Sequence, residues 1–188
     1  MEFYPIHKDR EQLFNEIRRR IFRLQNGKGL DSMIRIGADV HGQIGASYVS
    51  LKMLSQHYSK NLELALRLWG TQQREEQIMA YFLLPIDVIT QEKMTQLLQT
   101  CHSFEIAEYG GTLLIAARKD IKEIVEKFLD ADHPFLQIAA LTAIAKERIT
   151  RKSGTIFPSE YIRKIEGRAW ADPYIKRVFE RIRMDINE

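Results

Sequence analysis

The chain has 188 residues, of which 45% are hydrophobic and 28% charged, and this composition predicts a folded globular protein rather than a disordered one. Its single cysteine, Cys101, excludes an intramolecular disulfide, and no apolar run approaches the roughly 18 to 20 residues of a membrane span. The N-terminal residues have no apolar core of a signal peptide, so we expect a protein of the reducing cytoplasm.

Charge is distributed unevenly along the chain, although the formal net charge is only +3. Residues 1–30 hold seven Lys and Arg against four acids, and residues 146–188 hold eleven against seven. The middle, residues 31–145, holds ten against fourteen. The two ends are therefore the better candidates for contacting an anionic partner such as nucleic acid.

Apolar residues recur at the helical period almost everywhere, and no segment alternates with the period of a strand. The first predicted helix runs from about His7 to Gln25, with Gly27 and Gly29 expected to end it. A second covers about Leu30 to Ile36. Glycines then predict an irregular loop over residues 37–45, which includes Asp39 and His41.

From Ser47 onward, the predicted helices follow one another regularly, at about 47–58, 61–69, 73–84, 90–100, 104–117, 120–130 and 134–148. Two more follow at about 159–167 and 172–187. Pro134 and Pro173 suit the first turns of helices, with Asp132 and Asp172 as N-caps. Paired helices with a repeat of roughly 30 to 40 residues predict an all-α superhelix, or solenoid, of antiparallel pairs. We expect one domain, with N-terminal helices and a glycine-rich loop in 1–45 and stacked pairs in 46–188.

The most informative segment is LELALRLWGTQQREEQIMAYFLL, from Leu62 to Leu84. An E-L-A-x-x-L-W helix, a turn at Gly70 and Thr71, and an R-E-x-Q-I-x-A-x-x-L-L helix resemble the DNA alkylation repair (AlkD-like) family of HEAT-like helical repeat proteins. The resemblance extends over roughly Ser47 to Ala145 and implies the HEAT-like form of the solenoid. Trp69 matches a tryptophan of the family, and its apolar helical neighbours predict a place in the core.

The resemblance also implies an active site made of an aromatic residue and a carboxylate four residues later. Phe104 stands where the family has a tryptophan, and Glu108 stands where it has an aspartate. This spacing places both side chains on one helical face. In a glycosylase of this type, the carboxylate stabilises the positive sugar as an alkylated purine departs, and the aromatic ring stacks on sugar or base. The longer glutamate displaces the carboxylate by about 1 Å, an error that can cost about 100-fold in rate.

Three further positions differ from the family pattern. Leu136 and Gln137 stand where paired arginines are expected, and Arg181 stands where the last helix has a tryptophan. We therefore expect a DNA-binding member of the family whose glycosylase site is degenerate. The alternative is a non-catalytic solenoid that binds a protein partner. The alternative for Glu108 is an acidic residue that is stabilised by the helix dipole near the N-terminus of its helix. The alternative for Phe104 is an aromatic residue of the core.

Duplex DNA is the partner that the resemblance implies, and basic residues near the chain ends and helix ends are its candidate phosphate contacts. These are Arg18, Arg19, Arg23, Arg118, Lys119, Arg148, Arg151 and Lys152. Solvated helix faces and complements to helix C-termini are the alternative roles. The five histidines lack metal-ligand spacing and no nucleotide-binding glycine motif is present, so we predict no metal and no cofactor. Gly110 and Gly111, inside a helical pattern, predict close helix packing.

Overall fold

The protein is described here by a computed structural model that covers residues 9–35, 40, 42–168, 170 and 172–184. Within those residues every regular element is helical: eleven α-helices, one π-helix and one turn of 3-10 helix, with no strand. The prediction of an all-α protein is confirmed. In this part of the chain no helix is long and apolar enough to cross a membrane.

The chain divides into two compact units, Met1–Pro85 and Ile86–Glu188. That it forms one domain stays a prediction. The described part of the first unit contains five helices: α1 (Arg10–Phe22), α2 (Gly27–Arg35), α3 (Tyr48–Ser55), α4 (Leu62–Gly70) and α5 (Arg74–Leu83). Helices α3 and α4 both pack on α5, and α1 packs against all three.

Side-chain caps begin three helices of the first unit. Asp9 accepts a hydrogen bond from Gln12 N at 2.7 Å, and Asn61 accepts one from Leu64 N at 2.9 Å. Ser47 caps α3 in the same way. Each cap stabilises its helix by about 1 kcal/mol because it binds an amide that has no partner within the helix. In the core, Trp69 is 4% exposed and meets Tyr81 edge to face, which confirms its predicted place.

The first turn of α5 is polar and nevertheless buried, and residues 74–77 are called the buried polar turn below. Glu75 Oε1 accepts from Gly45 N at 3.1 Å and from Arg74 Nη1 at 3.2 Å, and Arg74 also donates to the Ala46 carbonyl at 3.1 Å. Gly45 has a φ of 70°, and a Cβ there would lie 2.5 Å from the Asn26 carbonyl oxygen. The buried polar turn thus holds the loop that precedes α3.

The start of α2 differs from the prediction. Gly27 and Gly29 do not end the first helix, since α1 ends at Phe22 and α2 begins at Gly27. The physical reason is Asn26, whose side chain accepts from Gly29 N at 3.2 Å and whose carbonyl accepts from Leu30 N at 3.1 Å. The loop residues Gly37, Asp39 and His41, and the outermost predicted helical residues 7–8, 36 and 185–187, lie outside the described residues.

The second unit is built around its longest helix. Its α-helices are α6 (Gln91–Gln99), α7 (Phe104–Tyr109), α8 (Ile121–Leu129), α9 (Pro134–Arg151), α10 (Ser159–Glu166) and α11 (Pro173–Met184), and a π-helix, Gly110–Ile115, continues α7. Helices α6, α7, α8 and α11 and the π-helix all pack on α9. Residues 138–144 of α9 are accordingly all buried.

Proline begins α9 as predicted, but the predicted acidic cap at Asp132 is wrong. The N-cap position belongs to His133, whose side chain makes no capping hydrogen bond. Proline at the first helical position lacks an amide hydrogen, so the helix start has one donor fewer to satisfy. At α11 the prediction is confirmed, because Asp172 Oδ1 accepts from Tyr174 N at 2.6 Å.

The close helix packing that the glycine pair predicts is confirmed at Gly111. Gly111 lies against α9, and a Cβ at this position would overlap the Thr142 hydroxyl and the Ala139 carbonyl oxygen. The sequence predicts one helix over 104–117, whereas the chain changes from α to π geometry at Gly110. The Ala116 amide accordingly donates five residues back, to the Gly111 carbonyl, at 2.9 Å.

Candidate functional site

Phe104 and Glu108 lie one turn apart on α7, and both contact α11. The Tyr174 hydroxyl donates to Glu108 Oε1 at 2.8 Å, and Arg181 Nη2 donates to the same oxygen at 2.6 Å. Arg177 lies between these two residues in sequence, and its guanidinium is 5.4 Å from the centre of the Tyr174 ring. Positions 174, 177 and 181 share one face of α11 because they are spaced by three and four residues.

Phe104 lies within an aromatic cluster. Its ring centre is 4.7 Å from that of Tyr174, with the planes tilted by 32°, and 5.6 Å from that of Phe135, which it meets edge to face. His133 contacts the far side of this cluster through Phe135, at 5.6 Å between ring centres. Phe104, Glu108, Phe135, Tyr174, Arg177 and Arg181 are called the Glu108 site below.

The hydroxyl of Tyr174 is a stable donor. Burial raises its pKa to about 12, and the hydrogen bond to Glu108 adds to the shift because a phenolate beside a carboxylate is unfavourable. Tyr174 therefore stays protonated at neutral pH and continues to donate to Glu108. With one carboxylate and two guanidinium groups, the formal charge of the Glu108 site is +1.

This geometry suits an anion better than a developing cation. Glu108 is already paired with Arg181, so its charge is compensated before any ligand arrives. A positive sugar close to Glu108 would also lie close to Arg181, so its attraction to the carboxylate would be largely offset by its repulsion from the guanidinium. Tyr174 further occupies a face of Phe104 on which a base or sugar could stack.

Two of the predicted phosphate contacts are held by the protein itself. Arg118 makes a bidentate ion pair with Asp120, at 2.7 and 2.8 Å, and donates hydrogen bonds to the carbonyls of Ile86 and Ile89. The Arg118 side chain is only 14% exposed, and its hydrogen bonds lower the pKa of Asp120 to about 2. Arg148 donates to the Phe157 carbonyl at 2.6 Å. Both arginines hold loops within the second unit.

The other six predicted contacts retain some exposure. Arg18 is paired with Glu76 at 2.9 Å, and Arg151 with the buried Glu147 at 3.4 Å. Four are exposed and form no ion pair with any described residue: Arg19, Arg23, Lys119 and Lys152. Arg18, Arg19 and Arg23 belong to the first unit and the rest to the second, and none of the eight belongs to the Glu108 site.

The sequence analysis did not identify Tyr174 or Arg177. The predicted helix start at Asp172 and Pro173 was the available signal, since it places Tyr174, Arg177 and Arg181 at spacings that share a face. What the sequence does not reveal is which helix that face meets. Packing of both α7 and α11 on α9 brings it to Glu108.

No protein-family model, no curated protein and no solved structure gives a significant match to the chain.

Proposed function

We propose that the protein is a helical repeat protein that binds duplex DNA through its second unit and does not excise bases. The observation that carries the proposal is the face formed by Tyr174, Arg177 and Arg181 beside Glu108. It joins aromatic and cationic groups, as nucleic-acid-binding surfaces do, and its one carboxylate is already neutralised. The resemblance to AlkD-like proteins supports DNA as the partner.

The charge of the surrounding helices supports the same conclusion. Residues 146–184 include eleven Lys and Arg against five Asp and Glu. Six of these cations are exposed and form no ion pair with any described residue: Lys146, Lys152, Arg163, Lys164, Lys176 and Arg177. Unpaired surface cations bind phosphates and release the counterions condensed on DNA, which is the main source of sequence-independent affinity.

HEAT-like stacking is the structural part of the proposal. Within each unit, consecutive helices joined by a short turn pack on one another, as α4 does on α5 and α8 on α9. Such helix pairs are the building blocks of solenoids, in which each pair covers the apolar face of its neighbour. The proposal extends this arrangement to the HEAT-like superhelix that the resemblance implies.

We expect salt-sensitive binding to duplex DNA that does not depend on sequence. The double variant Lys176→Ala/Arg177→Ala should weaken binding about tenfold at low salt and reduce the slope of log K against log salt by about 1.8, because each phosphate contact contributes about 0.9. Fluorescence anisotropy of a labelled duplex, titrated at several salt concentrations, measures both quantities.

The matched control is Lys122→Ala/Lys127→Ala, which removes two exposed lysines from α8 in the same unit. Its net charge equals that of the test variant, so a general loss of attraction would weaken both equally. Equal weakening would contradict an interface at α11. Absence of wild-type binding at about 20 to 50 mM salt, where phosphate contacts are strongest, would contradict DNA binding itself.

We further expect that the wild-type protein releases no 7-methylguanine or 3-methyladenine from alkylated duplex DNA. Pairing with Arg181 offsets the attraction of Glu108 for a positive sugar, so we expect no excision. Glu108→Gln frees Arg181 and raises the formal charge of the Glu108 site by one, so DNA affinity should stay similar or rise. Chromatography of released bases is the measurement. If the wild type released base and Glu108→Gln lowered that release by about 10² to 10³, the expected loss of one key electrostatic group, Glu108 would be a working catalytic carboxylate.

A further inference from the structure

The first unit has an open groove between α1 and α3, called the α1/α3 groove below, with a volume of about 430 Å³. Eight residues line it, among them Arg20, Arg23, Leu24, Met53, Leu54 and His57. It belongs to a different unit from the Glu108 site, so a role for it does not depend on DNA binding at α11.

The apolar part of the groove is unusually exposed. Met53 is 62% exposed, and Val49, one turn earlier on α3 but outside the groove lining, is 63% exposed. Leu54, which is 7% exposed, and Leu24 continue this aliphatic surface. An exposed apolar side chain beside a groove that has both apolar and basic lining residues can anchor an amphipathic partner. Methionine suits such a surface because its flexible, polarisable side chain adapts to a ligand.

The polar part of the groove is basic. Arg20 and Arg23 supply its positive charge, and none of the eight lining residues is acidic. Arg20 is partly engaged, since it donates to the Tyr58 hydroxyl at 3.0 Å and is 3.8 Å from Glu16. Arg23 is exposed and forms no ion pair with any described residue. A ligand carrying carboxylates would supply the charge that these groups lack.

We propose that the α1/α3 groove docks an acidic amphipathic segment of a partner protein. Apolar side chains of the segment, spaced three and four residues apart, pack on Leu24, Met53 and Leu54, and its flanking carboxylates pair with Arg20 and Arg23. Helix-in-groove recognition uses this combination of anchors and charges. The aliphatic lining favours a peptide over a nucleic acid, because no phenylalanine, tyrosine or tryptophan is among the eight residues that line the groove.

The test uses a fluorescein-labelled peptide of about 16 residues, near the length at which isolated helices form. It carries leucines at positions i, i+4 and i+7 and glutamates on either side of them. The comparison peptide replaces every glutamate with lysine. In anisotropy titrations with the full chain, we expect the acidic peptide to bind at least about tenfold more tightly than the lysine peptide, because the charges of the groove select against cations.

Three variants locate the binding. Arg23→Glu and Met53→Glu should each weaken binding of the acidic peptide about tenfold or more, because they place a like charge in the groove. Lys52→Glu is the matched control, because this exposed residue of α3 precedes Met53 but does not line the groove, and it should change binding less than about threefold. All three substitutions are at exposed positions, and equal melting temperatures would show that the variants are folded.

Methionine methyl NMR provides an independent readout. The Met53 methyl signal should shift on addition of the acidic peptide, while those of the buried Met79 and Met94 should not. Equal binding of both peptides, unchanged binding by Arg23→Glu and Met53→Glu, or no binding up to about 1 mM peptide, an affinity limit of about 4 kcal/mol, would each overturn the proposal. Tighter binding of a single-stranded oligonucleotide than of the acidic peptide, with a shift of the Met53 signal, would make the groove a nucleic-acid surface.

Discussion

Gly111→Ala is expected to lower the melting temperature of the protein by about 4 to 8 °C, which corresponds to about 2 kcal/mol for a chain of this size. The new Cβ would overlap Thr142 Oγ1 and the Ala139 carbonyl oxygen and would lie 2.9 Å from Ala143 N. Overpacking of this kind costs about 3 kcal/mol, and the better helix propensity of alanine returns about 1 kcal/mol. Circular dichroism during heating measures the change.

Gly154→Ala is the matched control, because a Cβ at this exposed glycine has no atom within 4 Å. It should leave the melting temperature unchanged or slightly higher. In the double variant Gly111→Ala/Thr142→Ala, only part of the loss should return, because two of the three overlapping atoms belong to the backbone of α9. Melting of Gly111→Ala within about 1 °C of the wild type, a change near 0.3 kcal/mol, would show that the π-helix and α9 are not in close contact.

Glu75→Ala should destabilise the first unit by about 3 to 5 kcal/mol, the cost of removing one partner of a buried ion pair. The Glu75 side chain is 3% exposed, and its Oε1 accepts hydrogen bonds from Arg74 and from the amide of Gly45. The truncation leaves a buried guanidinium without this carboxylate and a buried amide without its acceptor. Urea unfolding followed by tryptophan fluorescence is suitable, because Trp69 lies in the same unit.

One further variant separates charge from hydrogen bonding at Glu75, and another serves as an exposed control. Glu75→Gln keeps an oxygen for Gly45 N and should cost less than Glu75→Ala. Glu63→Ala breaks an exposed ion pair in which the side chains of Glu63 and Arg10 are 50% and 73% exposed. It should lower the free energy of unfolding by less than about 1 kcal/mol. Equal effects of Glu75→Ala and Glu63→Ala would contradict the anchoring role of the buried polar turn.

Helix positions could be predicted well because apolar spacing and caps are local properties of the sequence. The segment predicted at about 61–69 is α4, Leu62–Gly70, and the one predicted at about 73–84 is α5, Arg74–Leu83. The change to π geometry at Gly110 was not predicted, and it occurs where Gly111 lies against α9, a tertiary contact that local spacing does not reveal. The start of α2 depends instead on local capping contacts of Asn26, a signal present in the sequence that the prediction missed.

The Glu108 site could be predicted only in part. The spacing of Phe104 and Glu108 correctly placed them on one helical face, and their contact with the same residue of α11, Tyr174, agrees with a shared site. The pairing of Glu108 with Arg181 could not be predicted, because 73 residues separate the two in sequence. Sequence periodicity assigns each residue to a face of its own helix and does not identify the helix that packs against it.

The π-helix also determines the angular relation between two neighbouring faces of one continuous segment. Phe104 and Glu108 precede the π-helix and contact α11. Leu114 and Ile115 belong to the π-helix and are buried. In an α-helix each residue advances by about 100°. A π-helix turns less per residue because its hydrogen bonds reach back five residues instead of four, so six π residues turn through about the same angle as five α residues. Deleting one residue from the segment 110–115 would therefore restore α geometry and keep both faces in place. A second deletion would rotate one face by about 100° relative to the other, and either the contacts of Glu108 or the burial of Leu114 and Ile115 would be lost.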